Sequence, residues 1–346
     1  KHFKMNVLLT GGAGYIGSHT TLALLESMYE VIVIDDFSNS SAESLKRVAN
    51  IAGKKPVVVE GDIINRTLLR SIFQQNSDIT AVIHFAALKA VGESTEDPLR
   101  YYENNVGGSI ALLQEMERAG VSNLVFSSSC TVYGEPEKVP LDENHPIGEV
   151  SSPYGRTKYM MEGIIQDHCK ANPLWNAAVL RYFNPVGADK SGDIGEDPNE
   201  IPDNLVPFVS QVASGRLKKL KVFGSDYPTR DGTAIRDYIH VSDLAEAHIK
   251  ALDQLQKNRG IVTCNLGTGR GYSVLEVIKT FEKVTGISIP YELVGRRSGD
   301  VTEAWADPTF AEQLLGWKAK LGLEEMLADA WNWQSKNPLG YRNQKD

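Results

Sequence analysis

Three side chains in the middle of the chain have the chemistry needed to oxidise an alcohol carbon. Tyr154 and Lys158 lie four residues apart after Pro153, so the spacing predicts a helix that presents a phenol and an ammonium on one face near its start. Ser129 ends a run of three serines that follows an apolar segment ending at Phe126. A phenol has a reference pKa of about 10, and a nearby cation favours its phenolate form. The trio therefore predicts Tyr154 as the base, Lys158 as its charged neighbour and Ser129 as the group that orients a substrate hydroxyl.

A glycine-rich segment near the start of the chain has the spacing of a dinucleotide-binding loop. Gly11, Gly14 and Gly17 lie between an apolar run and an amphipathic stretch, where they permit a tight turn and a close approach of the backbone to a pyrophosphate. Asp35 ends the next apolar run, at the position from which a carboxylate accepts hydrogen bonds from an adenosine ribose. Because Asp35 and Asp36 would repel a 2′-phosphate, the sequence predicts NAD rather than NADP as the cofactor.

The elements that must position these residues follow an alternating pattern in the first third of the chain. Short apolar runs alternate with longer amphipathic stretches, which is typical of a parallel sheet covered by helices on both faces. We predict buried strands at 7–9, 31–34, 57–59, 82–85 and 124–126, and helices at 15–27, 42–52, 66–75 and 109–119. The predicted fold class is α/β, a Rossmann-like doubly wound parallel sheet with a smaller C-terminal α/β substrate lobe.

The alternation becomes irregular after residue 180. A further strand is predicted at 179–182, a polar loop at 187–203, and helices at 204–214, 241–255, 273–285 and 323–335. Long ordered loops are usually functional. We expect residues 1–184 to form an NAD-binding domain, joined by a returning segment at about 234–268, and residues 185–346 to form most of a substrate-binding lobe.

Composition narrows the function classes. The 346 residues are 42% apolar and 23% charged, as in globular proteins, and the net charge of −8 disfavours nucleic acid and anionic lipid as partners. Neither a membrane-spanning run nor the apolar core of a signal peptide is present, which predicts a cytoplasmic protein. Cys130, Cys169 and Cys264 are widely separated and lack metal-ligand spacing, so we expect small core residues in a reducing compartment and no metal site.

Several longer segments, taken in order, resemble the UDP-galactose 4-epimerase family of extended short-chain dehydrogenases/reductases from about Asn6 to Tyr341. They are TGGAGYIGSHT from Thr10, HFAALKAVGES from His84, SSSCTVYGEP from Ser127, SPYGRTKYMMEG from Ser152, LRYFNPVGA from Leu180, IRDYIHVSDLAEAH from Ile235 and NLGTGRGYSV from Asn265. The resemblance implies one tightly held NAD. It also implies an isomerase reaction in which Tyr154 takes the proton of the sugar 4-hydroxyl, the C4 hydride leaves, and the 4-keto sugar turns over and is reduced on its other face.

The resemblance also assigns residues to the cofactor and to the nucleotide sugar. It assigns to NAD, besides the three glycines, the residues Tyr15, Ile16, Asp35, Asn39, Asp62, Ile63, Phe85, Ala86, Lys89, Asn104, Tyr154, Lys158 and Phe183. It assigns to the UDP-sugar Lys89, Ser129, Tyr154, Asn184, Asn204, Leu205, Lys221, Val222, Phe223, Arg236, Arg297, Asp300 and Ala304. Arg236 and Arg297 match the family's pyrophosphate ligands, for which a guanidinium fork is well suited.

Four positions distinguish this chain within the resemblance. Cys130 stands where alanine is usual, and Asp36 and Asp203 stand where asparagine is usual, which affects the expected details of the ribose and uridine contacts. Ala304 falls at the position beside the sugar 2-substituent, where members restricted to UDP-glucose and UDP-galactose carry tyrosine. A methyl group there leaves room for an acetamido group, so we expect the chain also to interconvert UDP-N-acetylglucosamine and UDP-N-acetylgalactosamine.

Two other functions are consistent with the same motifs. A nucleotide-sugar 4,6-dehydratase begins with the same oxidation, but it needs acidic residues directly after the Ser/Thr of the strand end, where this chain has Cys130 and Thr131. A non-catalytic NAD-binding regulator could keep the fold without turnover. The resemblance also implies a homodimer built as a helix bundle, although the apolar faces of 109–119 and 158–165 could equally pack inside the domain.

Overall fold

The computed structural model describes residues 5–198, 202–257, 259–297 and 299–342. Residues 1–4 of the N-terminal segment and residues 199–201 of the predicted loop lie outside the described residues. The strands are β1 (Asn6–Thr10), β2 (Glu30–Asp35), β3 (Val57–Glu60), β4 (Ile79–His84), β5 (Asn123–Ser129), β6 (Asn176–Tyr182), β7 (Asn184–Val186), β8 (Leu220–Phe223), β9 (Ile235–His240), β10 (Gly260–Leu266), β11 (Gly271–Ser273), β12 (Tyr291–Val294) and β13 (Glu303–Ala304).

The helices cover most of the segments between these strands. They are α1 (Tyr15–Glu26), α2 (Ala42–Ala52), α3 (Arg66–Gln75), α4 (Val91–Glu96), α5 (Pro98–Tyr101), α6 (Gly108–Ala119), α7 (Pro153–Ala171), α8 (Leu205–Ala213), α9 (Val241–Lys257), α10 (Val274–Thr285), α11 (Thr309–Leu315) and α12 (Leu323–Lys336). A π-helical turn at Tyr102–Gly107 precedes α6, and a 3₁₀ turn at Cys130–Tyr133 follows β5. Within the described ranges, we find no helix with both the length and the apolar character of a membrane span.

A seven-stranded parallel sheet forms the centre of the molecule, in the order β10-β6-β5-β4-β1-β2-β3. The inner strands are apolar because helices cover both faces; Val7, Leu8 and Leu9 of β1 are fully buried. The chain leaves β1 on one side toward β2 and returns on the other side at β4. This reversal opens a crevice at the carboxyl ends of β1 and β4, where ligands bind in open α/β sheets. The doubly wound sheet predicted from the alternation is confirmed.

The prediction of a buried strand at 57–59 is wrong in one respect. The segment is a strand, but Val57 is 54% exposed, Val58 is 44% exposed and Val59 is half-buried. β3 is the edge of the sheet and pairs with β2 alone among the described strands. An edge strand has less cover than an inner one, so its apolar composition does not reveal its burial.

The second half of the chain forms a smaller lobe and also completes the first. β9 lies between β11 and β13 and pairs in addition with β7, while β8 pairs with β12; α8, α10 and α12 pack around a separate apolar cluster. In the returning segment, β10 joins the edge of the large sheet beside β6, and α9 packs on α1. β9, although part of the same segment, lies in the smaller sheet.

Candidate active site

The glycine-rich loop turns tightly between β1 and α1. Gly11 has a φ of +70°, a conformation that favours glycine, and a Cβ at this position would lie 2.8 Å from the backbone nitrogen of Ala86. A Cβ on Gly17 would lie 2.2 Å from the carbonyl oxygen of Gly11. Neither position has room for a side chain, because the loop packs directly against α1 and the chain after β4.

The N-terminus of α1 is suited to an anion. Gly14 caps the helix without a side-chain hydrogen bond, and the first turn contains no acidic residue. A Cβ on Gly14 would meet only the oxygen of Gly11, at 3.5 Å. The uncapped N–H groups and the helix dipole therefore fit the pyrophosphate of a dinucleotide. Tyr15 follows in this turn, but its hydroxyl donates to the carbonyl of Gly187 at 2.7 Å and joins the helix to the loop after β7.

Asp35 is buried at the end of β2 and holds the loop in place. Its Oδ2 accepts a hydrogen bond from the backbone N–H of Ala13 at 2.9 Å, and its Oδ1 accepts from the N–H of Phe37 at 3.0 Å and from Ser40 Oγ at 2.7 Å. Asp36 is exposed, and its Oδ1 accepts from both the N–H and the hydroxyl of Ser38. The sequence revealed the position of Asp35 but not these contacts with its own loop.

The predicted helix after Pro153 is present as α7, and its start is fixed by local chemistry. Ser152 caps it by accepting a hydrogen bond from the N–H of Gly155 at 3.1 Å, and Pro153 occupies the first turn. The helix lies against the end of β5, where the Lys158 ammonium donates to the carbonyl of Ser127 at 2.6 Å. The same ammonium lies 6.0 Å from the centre of the Tyr154 ring.

Ser129 lies beside Tyr154 and forms hydrogen bonds within its own turn. Its Oγ accepts from the N–H of Thr131 at 3.2 Å and from the Thr131 hydroxyl at 3.0 Å, which leaves its own proton for another acceptor. Burial raises the pKa of Tyr154 to about 12, and the hydrogen bond from Ser129 opposes that rise. Burial also lowers the pKa of Lys158 to about 8, which the carboxylate of Glu162 partly offsets. Ser129 is thus the near neighbour that opposes the rise in the Tyr154 pKa, while the Lys158 ammonium acts on the phenol only from a longer distance.

The other residues expected around the cofactor lie along the carboxyl edge of the sheet. Ile63 is buried, Asp62 and Lys89 are exposed, and Phe85 packs on the ring of His248 at 5.0 Å between centroids. Ile16, Ala86 and Asn104 are half-buried, Asn39 is exposed and Phe183 is buried. Asn104 lies in the π-helical turn, a feature that is frequent at functional sites.

The two arginines expected at a pyrophosphate each have a carboxylate neighbour. Arg236 Nη2 lies 3.8 Å from Asp300 Oδ1, and its Nη1 donates to the carbonyl of Ile235 at 2.8 Å. Arg297 Nη2 lies 3.4 Å from Asp203 Oδ1, and its guanidinium stands 6.0 Å from the ring centre of Phe223. Asp203, one of the departures noted in the sequence, therefore pairs with an expected phosphate ligand.

The remaining expected sugar and uridine residues have exposed or half-buried side chains, with the exception of one buried side chain. Lys221 and Phe223 of β8 are exposed, whereas Val222 between them is buried in the lobe core, so only its backbone is available to a ligand. Leu205 begins α8 and is half-buried. Asn204 Nδ2 donates to Glu196 Oε1 at 3.1 Å, and Lys89 Nζ lies 3.4 Å from the same oxygen. Asn184 has a buried Oδ1 without a hydrogen-bond partner among the described residues.

Ala304 lies beside the turn that follows Ser129. It pairs with Arg236 across β13 and β9, and it is buried in a small cluster with Phe183, Val132 and Leu141 that Cys130 also contacts. The position is therefore adjacent both to an expected nicotinamide residue and to the turn that follows Ser129. Cys130 itself is only partly exposed, and burial raises the pKa of its thiol to about 12.

A buried ion pair next to Ser128 was not predicted from the sequence. Glu162 of α7 and Arg181 of β6 form a bidentate pair, and Ser128 donates to Glu162 at 2.5 Å. Two features could have revealed it: an arginine inside the otherwise apolar run at 176–182, and a glutamate four residues after Lys158.

Comparisons with known proteins agree with this geometry. The model of the NAD dependent epimerase/dehydratase family matches residues 7–267. The chain is 56% identical over 339 residues to a UDP-glucose 4-epimerase of Haemophilus influenzae, covering 98% of this chain and 100% of the relative, and equally identical to one of Bacillus subtilis, covering 98% and 99%. A crystal structure of UDP-glucose 4-epimerase from Bifidobacterium longum, in complex with NAD⁺ and UDP, superposes with a TM-score of 0.95 at 49% identity, covering 97% of this chain and all of that chain.

Proposed function

The chain belongs to the NAD dependent epimerase/dehydratase family and is an NAD-dependent UDP-hexose 4-epimerase, and on that premise we propose that Tyr154, Ser129 and Lys158 carry out its chemistry. The reaction interconverts UDP-galactose and UDP-glucose. One observation carries the assignment: α7 brings the phenol and the ammonium against the serines that end β5, at the same carboxyl edge of the sheet as the uncapped start of α1.

The proposed residues remove one proton from the sugar and later return it. Tyr154 removes the proton of the sugar 4-hydroxyl as the C4 hydride leaves, and it returns that proton when C4 is reduced on its opposite face. Ser129 donates a hydrogen bond where negative charge develops on oxygen. Lys158 supplies a buried positive charge on the same helix face. The proton and the hydride both return to the sugar, so no net oxidation occurs.

The cofactor fits the loop described above. When bound, NAD supplies the redox chemistry by accepting the C4 hydride and giving it back. We propose that its pyrophosphate lies over the start of α1 and its adenosine ribose near Asp35, where Asp36 adds charge that disfavours NADP. The proposed cofactor residues are Gly11, Gly14, Tyr15, Ile16, Gly17, Asp35, Asn39, Asp62, Ile63, Phe85, Ala86, Lys89, Asn104, Tyr154, Lys158 and Phe183.

The nucleotide sugar is proposed to lie between the two lobes. Arg236 and Arg297 offer guanidinium forks to its pyrophosphate in a protein of net charge −8. Asn184 presents a buried oxygen without a partner among the described residues, and Phe223 presents an exposed ring for the uracil. The remaining proposed residues are Lys89, Ser129, Tyr154, Asn204, Leu205, Lys221, Val222, Asp300 and Ala304.

The dehydratase alternative has no support in the side chains after Ser129. Elimination needs an acid and a base there, but burial raises the pKa of Cys130 to about 12, and the Thr131 hydroxyl is bonded to Ser129. A non-catalytic NAD-binding regulator would bind the cofactor and leave every nucleotide sugar unchanged.

The small side chain of Ala304, next to Phe183 and to the turn after Ser129, supports a broader substrate range. We propose that the enzyme also interconverts UDP-N-acetylglucosamine and UDP-N-acetylgalactosamine. The protein should be incubated with UDP-galactose and, separately, with UDP-N-acetylgalactosamine, both without added NAD, and the sugar products resolved. Epimerised products in both reactions are expected. Unchanged UDP-galactose would refute the proposed chemistry, and unchanged UDP-N-acetylgalactosamine alone would refute the broader range.

We further propose a cytoplasmic homodimer. The predicted apolar faces behave differently: Leu112 and Met116 of α6 are fully buried inside the domain, whereas Tyr159 and Met160 of α7 are each 45% exposed. Leu99 of the neighbouring α5 is 79% exposed, so the apolar patch spans two adjacent helices. Sedimentation equilibrium is expected to give twice the chain mass, and a Leu99→Glu variant is expected to give the monomer mass.

Reduced cysteines support the cytoplasmic assignment, because Cys169 and Cys264 are buried as free thiols. We propose a division with residues 1–184 on the NAD side, joined by α9 and β10 of the returning segment, and the rest of 185–346, including β9, on the UDP-sugar side. The clustering of the small sheet with α8, α10 and α12 supports it. Fractionation of the native cells should recover the activity in the cytosolic fraction.

A further inference from the structure

A buried pair of opposite charges lies directly behind the catalytic strand end. Arg181 Nε donates to Glu162 Oε1 at 3.0 Å, and its Nη2 donates to Oε2 at 2.7 Å. The two side chains are only 8% and 11% exposed. The proton transfer proposed above uses neither of them.

The pair is connected to the catalytic residues through one helix face and one strand end. Tyr154, Lys158 and Glu162 follow one another at intervals of four residues on α7. Lys158 donates to the carbonyl of Ser127, and Glu162 accepts from the hydroxyl of Ser128, while Ser129, the next residue of β5, lies beside Tyr154. Hydrogen bonds thus fix the helix against the strand at two successive turns, and the third places Tyr154 beside Ser129.

Arg181 fixes the strand side of this arrangement. It is the direct neighbour of Ser128 in the pairing of β5 with β6. Its Nη1 donates to the Tyr133 oxygen at 2.8 Å, and the Tyr133 hydroxyl donates to Asn265 Oδ1 on β10 at 2.7 Å. The guanidinium also lies 4.9 Å from the centre of the Tyr133 ring. The ion pair is therefore part of a chain of hydrogen bonds that runs from α7 through Arg181 of β6 and Tyr133 to β10.

Stability alone is a poor explanation for such a pair. Removing two charges from water costs free energy, and well-packed apolar side chains of similar volume often stabilise a core as well or better. What an ion pair adds is direction, because each bidentate contact allows one relative placement of helix and strand.

We propose that the Glu162–Arg181 pair is a positioning device, which sets the register of α7 on β5 and so places Tyr154 and Lys158 relative to Ser129. This inference rests on the proposed roles of those three residues.

The electrostatics of the surroundings agree with the geometry. Burial lowers the pKa of Lys158 to about 8, and the Glu162 carboxylate raises it, so this carboxylate helps to keep the ammonium charged near neutral pH. Burial lowers the pKa of His84, which faces Lys158 from β4, to about 3, so the imidazole is neutral. The charged group that faces Glu162 from β6 is Arg181, beyond which burial raises the pKa of Tyr133 to about 12. Beyond that phenol lies the Glu143 carboxyl, whose pKa burial also raises.

Glu162→Gln in the NAD-containing enzyme tests the proposal, because glutamine keeps an acceptor for Ser128 and removes the charge. We expect kcat to fall about 10- to 100-fold with KM for UDP-galactose unchanged within about twofold, since the change affects placement rather than binding. The alkaline limb of the pH–activity profile should move to lower pH, because Lys158 loses the carboxylate that raises its pKa. Retained NAD should be measured alongside the melting temperature.

Glu115→Gln is a matched control. Glu115 is 1% exposed and forms a bidentate pair with Arg70 at 3.1 Å for both contacts, between α6 and α3, which carry no proposed site residue. Its loss is expected to lower the melting temperature while leaving kcat and the pH profile unchanged. A change in kcat common to both variants would show a general effect of neutralising a paired, buried carboxylate and would overturn the proposal.

Ser128→Ala provides a second test should the glutamine variant fail to fold, because it removes only the link between the pair and the strand. We expect kcat to fall about 2- to 10-fold, the effect of one hydrogen bond. Wild-type kcat and pH profile in a folded, NAD-containing Glu162→Gln enzyme, or wild-type kcat in Ser128→Ala when the former does not fold, would overturn the proposal. A parent protein without epimerase activity would instead refute the proposed function.

Discussion

Replacing Ala304 by tyrosine tests how the site selects the substituent at C2 of the sugar. The Ala304 side chain is 6% exposed and packs in a cluster with Phe183 and Leu141, so a phenol ring must take space that an acetamido group would otherwise use. Overpacking of this kind costs about 1–3 kcal/mol, which corresponds to about 5- to 150-fold in kcat/KM. We expect that loss for UDP-N-acetylgalactosamine, with a smaller loss for UDP-galactose.

The assay compares kcat/KM for both substrate pairs in the parent, Ala304→Tyr and Ala304→Ser. The serine variant nearly preserves side-chain volume and should retain both activities. Tyrosine is overpacked in the free enzyme as well, so the melting temperature is measured to separate substrate discrimination from loss of folded protein. A tyrosine variant that loses both activities equally would refute the reasoning, as would a parent enzyme inactive on UDP-N-acetylgalactosamine.

Four further outcomes are expected. Tyr154→Phe should keep NAD and lower turnover by about 10²- to 10⁴-fold, the range for loss of a general acid/base, and a near-parental rate would refute its role as the base. Lys158→Met should shift the acidic limb of the pH–rate profile to higher pH, because the Tyr154 phenolate loses a nearby cation. An unchanged profile would refute this role of Lys158. Asp35→Asn should narrow the preference for NAD over NADP in competitive binding, and equal affinities in the parent would contradict the ribose assignment. Asp203→Asn should tighten UDP binding, measured by calorimetry, by about 2- to 5-fold, because it frees Arg297 from an exposed carboxylate; weaker or unchanged binding would show that this pairing does not compete with phosphate.

Most strands and helices of the first 182 residues follow from the sequence because they are apolar throughout or amphipathic with a clear period. α4, α5 and the π-helical turn at Tyr102–Gly107 were not predicted, because each is too short to show a period. α2 and α3 begin and end at the predicted residues. Burial was less predictable, as the exposed Val57 and Val58 show. The burial of a strand depends on its position in the sheet, which is set by packing between distant segments and cannot be inferred from the sequence of that strand alone.

In the candidate site, too, local sequence motifs could be predicted, whereas contacts between separate elements could not. The glycine loop and the spacing of Tyr154 and Lys158 are local patterns, so they can be found without coordinates. The pairing of Arg181 with Glu162 joins a strand to a helix ahead of it in the chain, and the contact of Asp203 with Arg297 spans more than ninety residues. Such contacts depend on the tertiary fold, which periodicity does not encode.

The return of the chain to the large sheet has a consequence for synthesis on the ribosome. Until Gly260–Leu266 has emerged, β6 presents an unpaired edge, and the face of α1 that α9 covers is bare. At about 5–20 residues per second, this incomplete sheet persists for about 4–16 s after β6 is made. The large sheet therefore cannot be completed until much of the other lobe has been synthesised. During that interval the edge of β6 can pair with other chains.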